Sequence, residues 1–139
     1  MEQLIKDCLS DIPLNLKLHT SPIYDRQGKI CGGFYLVTNA ENGERVSTFV
    51  LQPMLGCNGI VVSRKVAILG NYKGCGYGST LCKLREQISA YLGYSLMFCT
   101  CVLGNIPQQK ILAKNGWEIG HEFLNKKTNN RVRTYFKKL

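Results

Sequence analysis

Apolar and polar residues alternate at the start of the chain, with Leu14, Leu16 and Leu18 set against Asn15, Lys17 and His19. A period of two predicts a half-buried strand. Ahead of it, residues 2–10 read as a short helix with Leu4, Ile5, Cys8 and Leu9 on one face, ended by the approach to Pro13. Ser21-Pro22 and Asp25-Arg26-Gln27-Gly28 are turn chemistry, and Lys29 to Thr38 then predicts a strand. Inside that strand, Gly32-Gly33 marks a bulge or a place where another backbone comes close. Asn39 to Gly43 reads as a hairpin loop, Arg45 to Gln52 as the next strand and Pro53 to Gly59 as an irregular connection.

The pattern then changes. Ile60 to Ile68 is an apolar strand, Leu69 to Gly78 is a glycine-rich loop, and a helix follows from Ser79. Leu81, Leu84, Ile88, Tyr91 and Leu92 recur at steps of three and four, which places them on a buried face with Lys83, Glu86 and Gln87 opposite. Gly93 is a fitting stop. Tyr94 to Leu103 is a nearly continuous apolar run, the mark of a strand covered on both faces. Asn105 to Lys114 predicts a second helix ended by Gly116. Trp117 to Leu124 and Val132 to Lys137 form a closing hairpin around the polar turn Asn125 to Asn130.

The 139 residues, 45% of them hydrophobic, suit one domain over 1–139 with one core. No apolar run reaches the length of a membrane span, and the early acids Glu2, Asp7 and Asp11 do not suit a signal peptide; a cytoplasmic protein with no membrane partner is expected. Seven cysteines form no C-x-x-C pair, so buried thiols are expected and no metal site. Cys99 and Cys101, as alternate residues of a strand, point to one face. The formal net charge is +9, and no acid follows Glu122, whereas Lys126, Lys127, Arg131, Arg133, Lys137 and Lys138 crowd the end. Such a surface is either a solvated face or a site for nucleic acid or an acidic partner.

Chemistry concentrates in the central loop. The first turn of a helix has backbone N–H groups without intrahelical partners, and the macrodipole adds partial positive charge there. Gly74, Gly76 and Gly78 remove side chains from those amides, Lys73 adds a full charge, and Ser79 can cap the helix or donate to a phosphate. A glycine cluster by itself also makes a tight surface turn. A nucleoside triphosphatase P-loop requires lysine before Ser79, where this chain has Gly78. The dinucleotide fingerprint requires G-x-G-x-x-G and an acid in the next strand, and this chain has neither.

Lys73-Gly74-Cys75-Gly76-Tyr77-Gly78 resembles the pyrophosphate loop [QR]-x-x-G-x-[GA] of the GCN5-related N-acetyltransferase (GNAT) superfamily, with lysine in the first place. Asn105, opening a helix that closes on Gly116-Trp117, is similar to a second landmark of that family. The resemblance covers roughly residues 29–139. It implies an α+β fold: a mixed, mostly antiparallel sheet with splayed central parallel strands, Ile60 to Ile68 and Tyr94 to Leu103, and helices on both faces. It also implies an acetyl-CoA-dependent N-acetyltransferase acting on an amine of a small molecule or protein, with acetyl-CoA as cosubstrate. The cofactor residues carried over are Ile68, Lys73, Gly74, Cys75, Gly76, Tyr77, Gly78, Ser79 and Asn105.

Besides Lys73, and Gly70 where the family usually carries proline, the usual catalytic positions depart from the family pattern. Val62-Ser63 stands where many relatives carry a glutamate base, and Leu112 where many carry a tyrosine acid. Ser63 and Tyr72 are the candidate catalytic residues here, with Glu41, Glu44 and His121 within reach from loops. Amines of low basicity need less help from a base, which keeps a nucleobase substrate in view beside a second reading: a binding module that holds nucleic acid or an acidic protein at its basic end.

Overall fold

The computed structural model describes residues 15–139, so the helix expected over 2–10 lies outside the described residues, as do Leu14 and Cys8. Among the described residues, seven strands and two α-helices follow one another: β1 Leu16–Tyr24, β2 Ile30–Asn39, β3 Arg45–Pro53, β4 Ile60–Ile68, a short 3-10 turn Gly70–Tyr72, α1 Tyr77–Tyr91, β5 Leu96–Val102, α2 Ile106–Lys114, β6 Glu118–Asn125 and β7 Asn130–Lys138. They form one mixed sheet in the order β1-β2-β3-β4-β5-β7-β6. Neighbours are antiparallel except β4 and β5, which are parallel because α1 crosses between them.

Side-chain alternation places Val61, Met97, Cys99, Cys101 and Tyr135 on the face that packs beneath α1, together with Tyr35, Val37, Phe49 and Leu51. Leu81, Leu84 and Ile88 of α1 and Leu112 of α2 complete this core, each fully buried. Gly32 confirms the close-approach reading: a Cβ there would stand 2.2 Å from the Leu51 carbonyl oxygen of β3.

Several expectations are corrected. Ser21-Pro22 is not a turn but part of β1, paired with Phe34 and Gly33. β1 is an edge strand, where proline's missing N–H can face outward. The turn comes at Asp25, whose Oδ1 accepts from the amides of Gln27 and Lys29 at 2.8 and 2.9 Å. β5 is not covered on both faces: Met97, Cys99 and Cys101 are buried, whereas Thr100 and Val102 are exposed. Its outward Phe98 ring is half-buried against Phe136, centroids 5.1 Å apart. On α1, Tyr91 is exposed and Glu86 is buried, the reverse of the helical-face reading. The cause lies across the sheet, where Lys137 of β7, itself half-buried, reaches Glu86 Oε1 at 3.4 Å and gives the carboxylate a cationic partner.

Cys82, Cys99 and Cys101 are buried, and desolvation pushes the Cys99 thiol up to about 12. Cys57 and Cys75 are exposed, so the expectation of buried thiols fails for these two, both of them in connecting loops. Among the described residues no helix is long and apolar enough to cross a membrane.

Candidate functional site

The parallel pair β4 and β5 holds together only at its start, through Ile60–Leu96, Val61–Met97 and Val62–Phe98. Beyond Val62 the strands part. β4 meanwhile stays paired with β3 as far as Ile68, but with an extra residue between Arg64 and Ala67, and Lys65 there takes a left-handed φ of 52°. From Val66 to Ile68, therefore, β4 has an open edge toward β5, while Ala67 and Ile68 keep their partners on β3.

That edge is one wall of a groove of about 760 Å³. Val66, Ala67 and Ile68 form this wall, the glycine loop and the first turn of α1 form the end, and Asn105, Pro107, Lys110, Ile111 and Lys114 of the α2 segment form the far side. The N-cap of α1 is Gly76, in a left-handed conformation with φ 84°, and Gly74 is left-handed too at φ 72°. No side chain caps the helix and its first turn has no acid, so the amides that open α1 face the groove without a competing carboxylate.

Of the residues named from sequence, Ile68, Tyr72, Lys73, Gly74, Gly76, Tyr77, Gly78, Ser79 and Asn105 all line this one groove. Cys75 does not: it is exposed, and its Sγ contacts the Asn71 carbonyl at 3.4 Å. Ser63 stands apart as well. It points into the core side of the sheet, 4% exposed, with no hydrogen-bond partner among the described residues and no share in the groove lining. Ser63 is the first residue past the last β4–β5 pair, yet a proton relay through it has no contact with the groove, because its side chain is buried on the core side of the sheet.

Tyr72 donates its hydroxyl proton to Glu44 Oε2 at 2.8 Å and accepts from Asn39 Nδ2 at 3.2 Å, and its ring lies 6.2 Å from that of Tyr77. It stands at the glycine-loop end of the groove, ten residues past the last β4–β5 pair. Ser79 does not cap α1. Its Oγ instead accepts from Asn115 Nδ2 at 3.1 Å, which leaves the hydroxyl proton to donate elsewhere. Asn115 in turn donates to the Ile111 carbonyl at 2.8 Å and accepts at its own carbonyl from Lys137 Nζ.

Sequence reasoning missed Asn115, Lys110 and Lys114. Helical spacing offered a signal for the lysines, since Pro107, Lys110, Ile111 and Lys114 share a face at steps of three and four. With Lys73 they give the groove three cations, and its lining contains no Asp, Glu or His.

The basic carboxy-terminal end is partly neutralised. Arg133 donates to Glu122 Oε1 through both Nε and Nη2, at 3.0 and 2.6 Å, and Lys137 is engaged by Glu86 and Asn115. His121 is exposed on β6 and is not part of the groove.

No protein-family model matches the chain, and no curated protein sequence does. Solved structures match over nearly its whole length. A GNAT family acetyltransferase from Elizabethkingia anophelis, with acetyl-CoA bound, superposes with a TM-score of 0.73 at 15% identity, covering 90% of this chain and 99% of that one. The fold is that of the GNAT acetyltransferases. An IAA acetyltransferase from Bacillus cereus is similar to the same extent, with TM-score 0.73, 14% identity, and 90% and 100% of the two chains covered. Spermidine N-acetyltransferase from Vibrio cholerae, in complex with CoA and spermine, matches with TM-score 0.68 at 11% identity over 78% of this chain and 66% of that one. In this chain the GNAT fold places its parting strands, glycine loop and α2 face around a single groove.

Proposed function

We propose that the protein is an acetyl-CoA-dependent N-acetyltransferase and that the groove between β4 and β5 holds acetyl-CoA. One observation carries this reading: the open edge of β4 from Val66 to Ile68 leads directly to an uncapped helix start flanked by Lys73, Lys110 and Lys114. The pyrophosphate belongs on the amides of the glycine loop and α1, with the Ser79 hydroxyl as an added donor. The pantetheine arm carries amides of its own, and these pair with the unpartnered backbone of β4, which the bulge at Lys65 has turned away from β5. The thioester then lies toward the fork, near Val62 and Phe98.

The chemistry is attack of a neutral amine on the thioester carbonyl, through a tetrahedral oxyanion, with the CoA thiolate leaving. Holding amine and thioester together supplies much of the rate, and backbone N–H groups on the open β4 edge stabilise the oxyanion. With no Asp, Glu or His in the groove lining, the acceptor arrives as free base. Tyr72 acts here as a positioning residue: its proton is held by Glu44, and its place at the loop end sets it beside the pyrophosphate rather than the thioester.

Thermal unfolding with acetyl-CoA, CoA, ATP and NAD in parallel tests the assignment. Ligand at about a hundred times its dissociation constant adds roughly 2.7 kcal/mol, a shift of several degrees. Acetyl-CoA and CoA are expected to stabilise the wild type and to leave a folded Gly76→Glu variant unmoved. Stabilisation by ATP or NAD alone, or an undiminished CoA effect in that variant, overturns the placement.

A further inference from the structure

A second cleft, of about 420 Å³, lies over β1, β2 and β3 and reaches the bulge of β4. Its polar lining is of one sign. His19, Arg45 and Lys65 supply three basic side chains, Thr20, Ser21 and Thr48 supply hydroxyls, and the lining contains no carboxylate. Among the described residues neither Arg45 nor Lys65 enters an ion pair, and His19 makes a neutral contact, Nε2 to Thr38 Oγ1 at 3.0 Å. Unpaired cations around one concavity raise the local positive potential and favour an oxyanion. Phe34, 52% exposed, adds an apolar wall. A cleft of this size suits a small molecule.

Its place in the fold gives it meaning. Lys65 lines this cleft, while the next three residues, Val66 to Ile68, wall the acetyl-CoA groove. The two cavities therefore meet at one strand. We propose that the cleft receives the acceptor amine through an oxyanion that the acceptor carries, a carboxylate or a phosphate, held by Arg45 and Lys65 with its apolar part against Phe34. The role as acceptor site rests on the acetyl-CoA reading; the anion site does not. A polyamine such as the spermine in the Vibrio cholerae complex is a poor fit, since Arg45, Lys65 and a net charge of +9 oppose a polycation.

The test is an amide NMR titration of the full chain, with and without saturating CoA, using phenylalanine, phenethylamine, phenyl phosphate, spermine and a short single-stranded oligonucleotide. Phenylalanine and phenethylamine differ only by the carboxylate. The expected result is that phenylalanine, phenyl phosphate or both shift the amides of Leu36, Thr48 and Val50, at least tenfold more tightly than phenethylamine, with no response to spermine. Whichever of the two binds tells carboxylate from phosphate recognition. Arg45→Gln, at a residue with no part in the acetyl-CoA groove, should cut that tenfold preference severalfold and leave CoA affinity unchanged. Equal binding of phenylalanine and phenethylamine without a response to phenyl phosphate, a response to spermine, or a response to the oligonucleotide alone would each overturn the proposal. Loss of CoA binding with the anion response intact would instead count against the acetyl-CoA reading.

Discussion

Asn115 Nδ2 donates to Ser79 Oγ across 3.1 Å, tying the end of α2 to the first turn of α1. Because Ser79 accepts here, its own proton points to another acceptor, and the groove is where a phosphate oxygen would stand. Asn115→Ala removes that orientation. CoA affinity is expected to fall about tenfold, on the order of 1.4 kcal/mol, when measured by calorimetry on a variant whose circular dichroism is unchanged. Unaltered affinity would show that Ser79 does not serve the ligand.

Gly76 is required by backbone conformation, whereas Gly78 meets only the far end of a side chain. A Cβ at Gly78 would stand 2.4 Å from Ile111 Cδ1, a terminal methyl that can turn aside, whereas one at Gly76 meets nothing within 4 Å but must be held at φ 84°. Gly76→Ala should therefore destabilise the fold by about 1–2 kcal/mol. Gly78→Ala, inside α1, should cost less, because alanine's better helix propensity, about 1 kcal/mol, offsets the displacement of that methyl. Melting curves of the two variants settle the matter, and a larger loss at Gly78 than at Gly76 refutes the distinction.

Burial pushes the Glu86 carboxyl above its ordinary range, with Lys137 pulling it back down. A carboxyl raised on folding is a group whose ionisation opposes folding: the folded state holds its proton longer, so stability falls as pH climbs from the unfolded value of 4.5 through the folded one. Lys137→Met leaves the carboxylate without its cation. The variant should lose about 1–3 kcal/mol at neutral pH and recover part of it near about pH 4, where Glu86 is protonated. Adding Glu86→Gln should flatten that pH dependence. A deficit of the same size at both pH values would place the cost in the lost Asn115 contact instead.

A groove lined without Asp, Glu or His predicts a simple pH–rate profile. The logarithm of kcat/KM should rise with unit slope up to the pKa of the acceptor amine itself, and two acceptors of different basicity should bend at different pH. A shared break near pH 6 to 7 would reveal a base supplied by the protein.

Much of this site could be read from the residues because its signals are local. The glycine spacing around Gly74 and Gly76 reflects left-handed backbone positions, and Asn105 does cap α2, its Oδ1 accepting from the Gln108 amide at 3.3 Å. What escaped the reading depends on partners distant in sequence. Glu86 looks like a solvent-facing charge until Lys137, fifty-one residues later, is brought against it. Pro22 looks like a turn until β1 proves to be an edge, and Asn115 looks like a helix terminus until α1 comes within reach. Ser63 is hard to place for a related reason. It is the first residue past the last β4–β5 pair, and nothing local reveals that its side chain turns into the core while the groove lining on β4 begins only at Val66.

The extra residue at Lys65 also shifts the phase of β4. Val61 and Ser63 turn toward α1 as odd-numbered positions, yet Ile68, opposite Ser47, turns the same way as an even-numbered one. The strand thus changes its reading frame between its two halves. The same residues in an unbulged strand would present Val66 and Ile68 to the opposite side and give the groove a different wall, whereas a chain lacking Lys65 would keep both on this face and lose only the bulge. The groove's inner surface is, in this sense, a matter of counting: three steps from Ser63 to Val66 where a regular strand would take two.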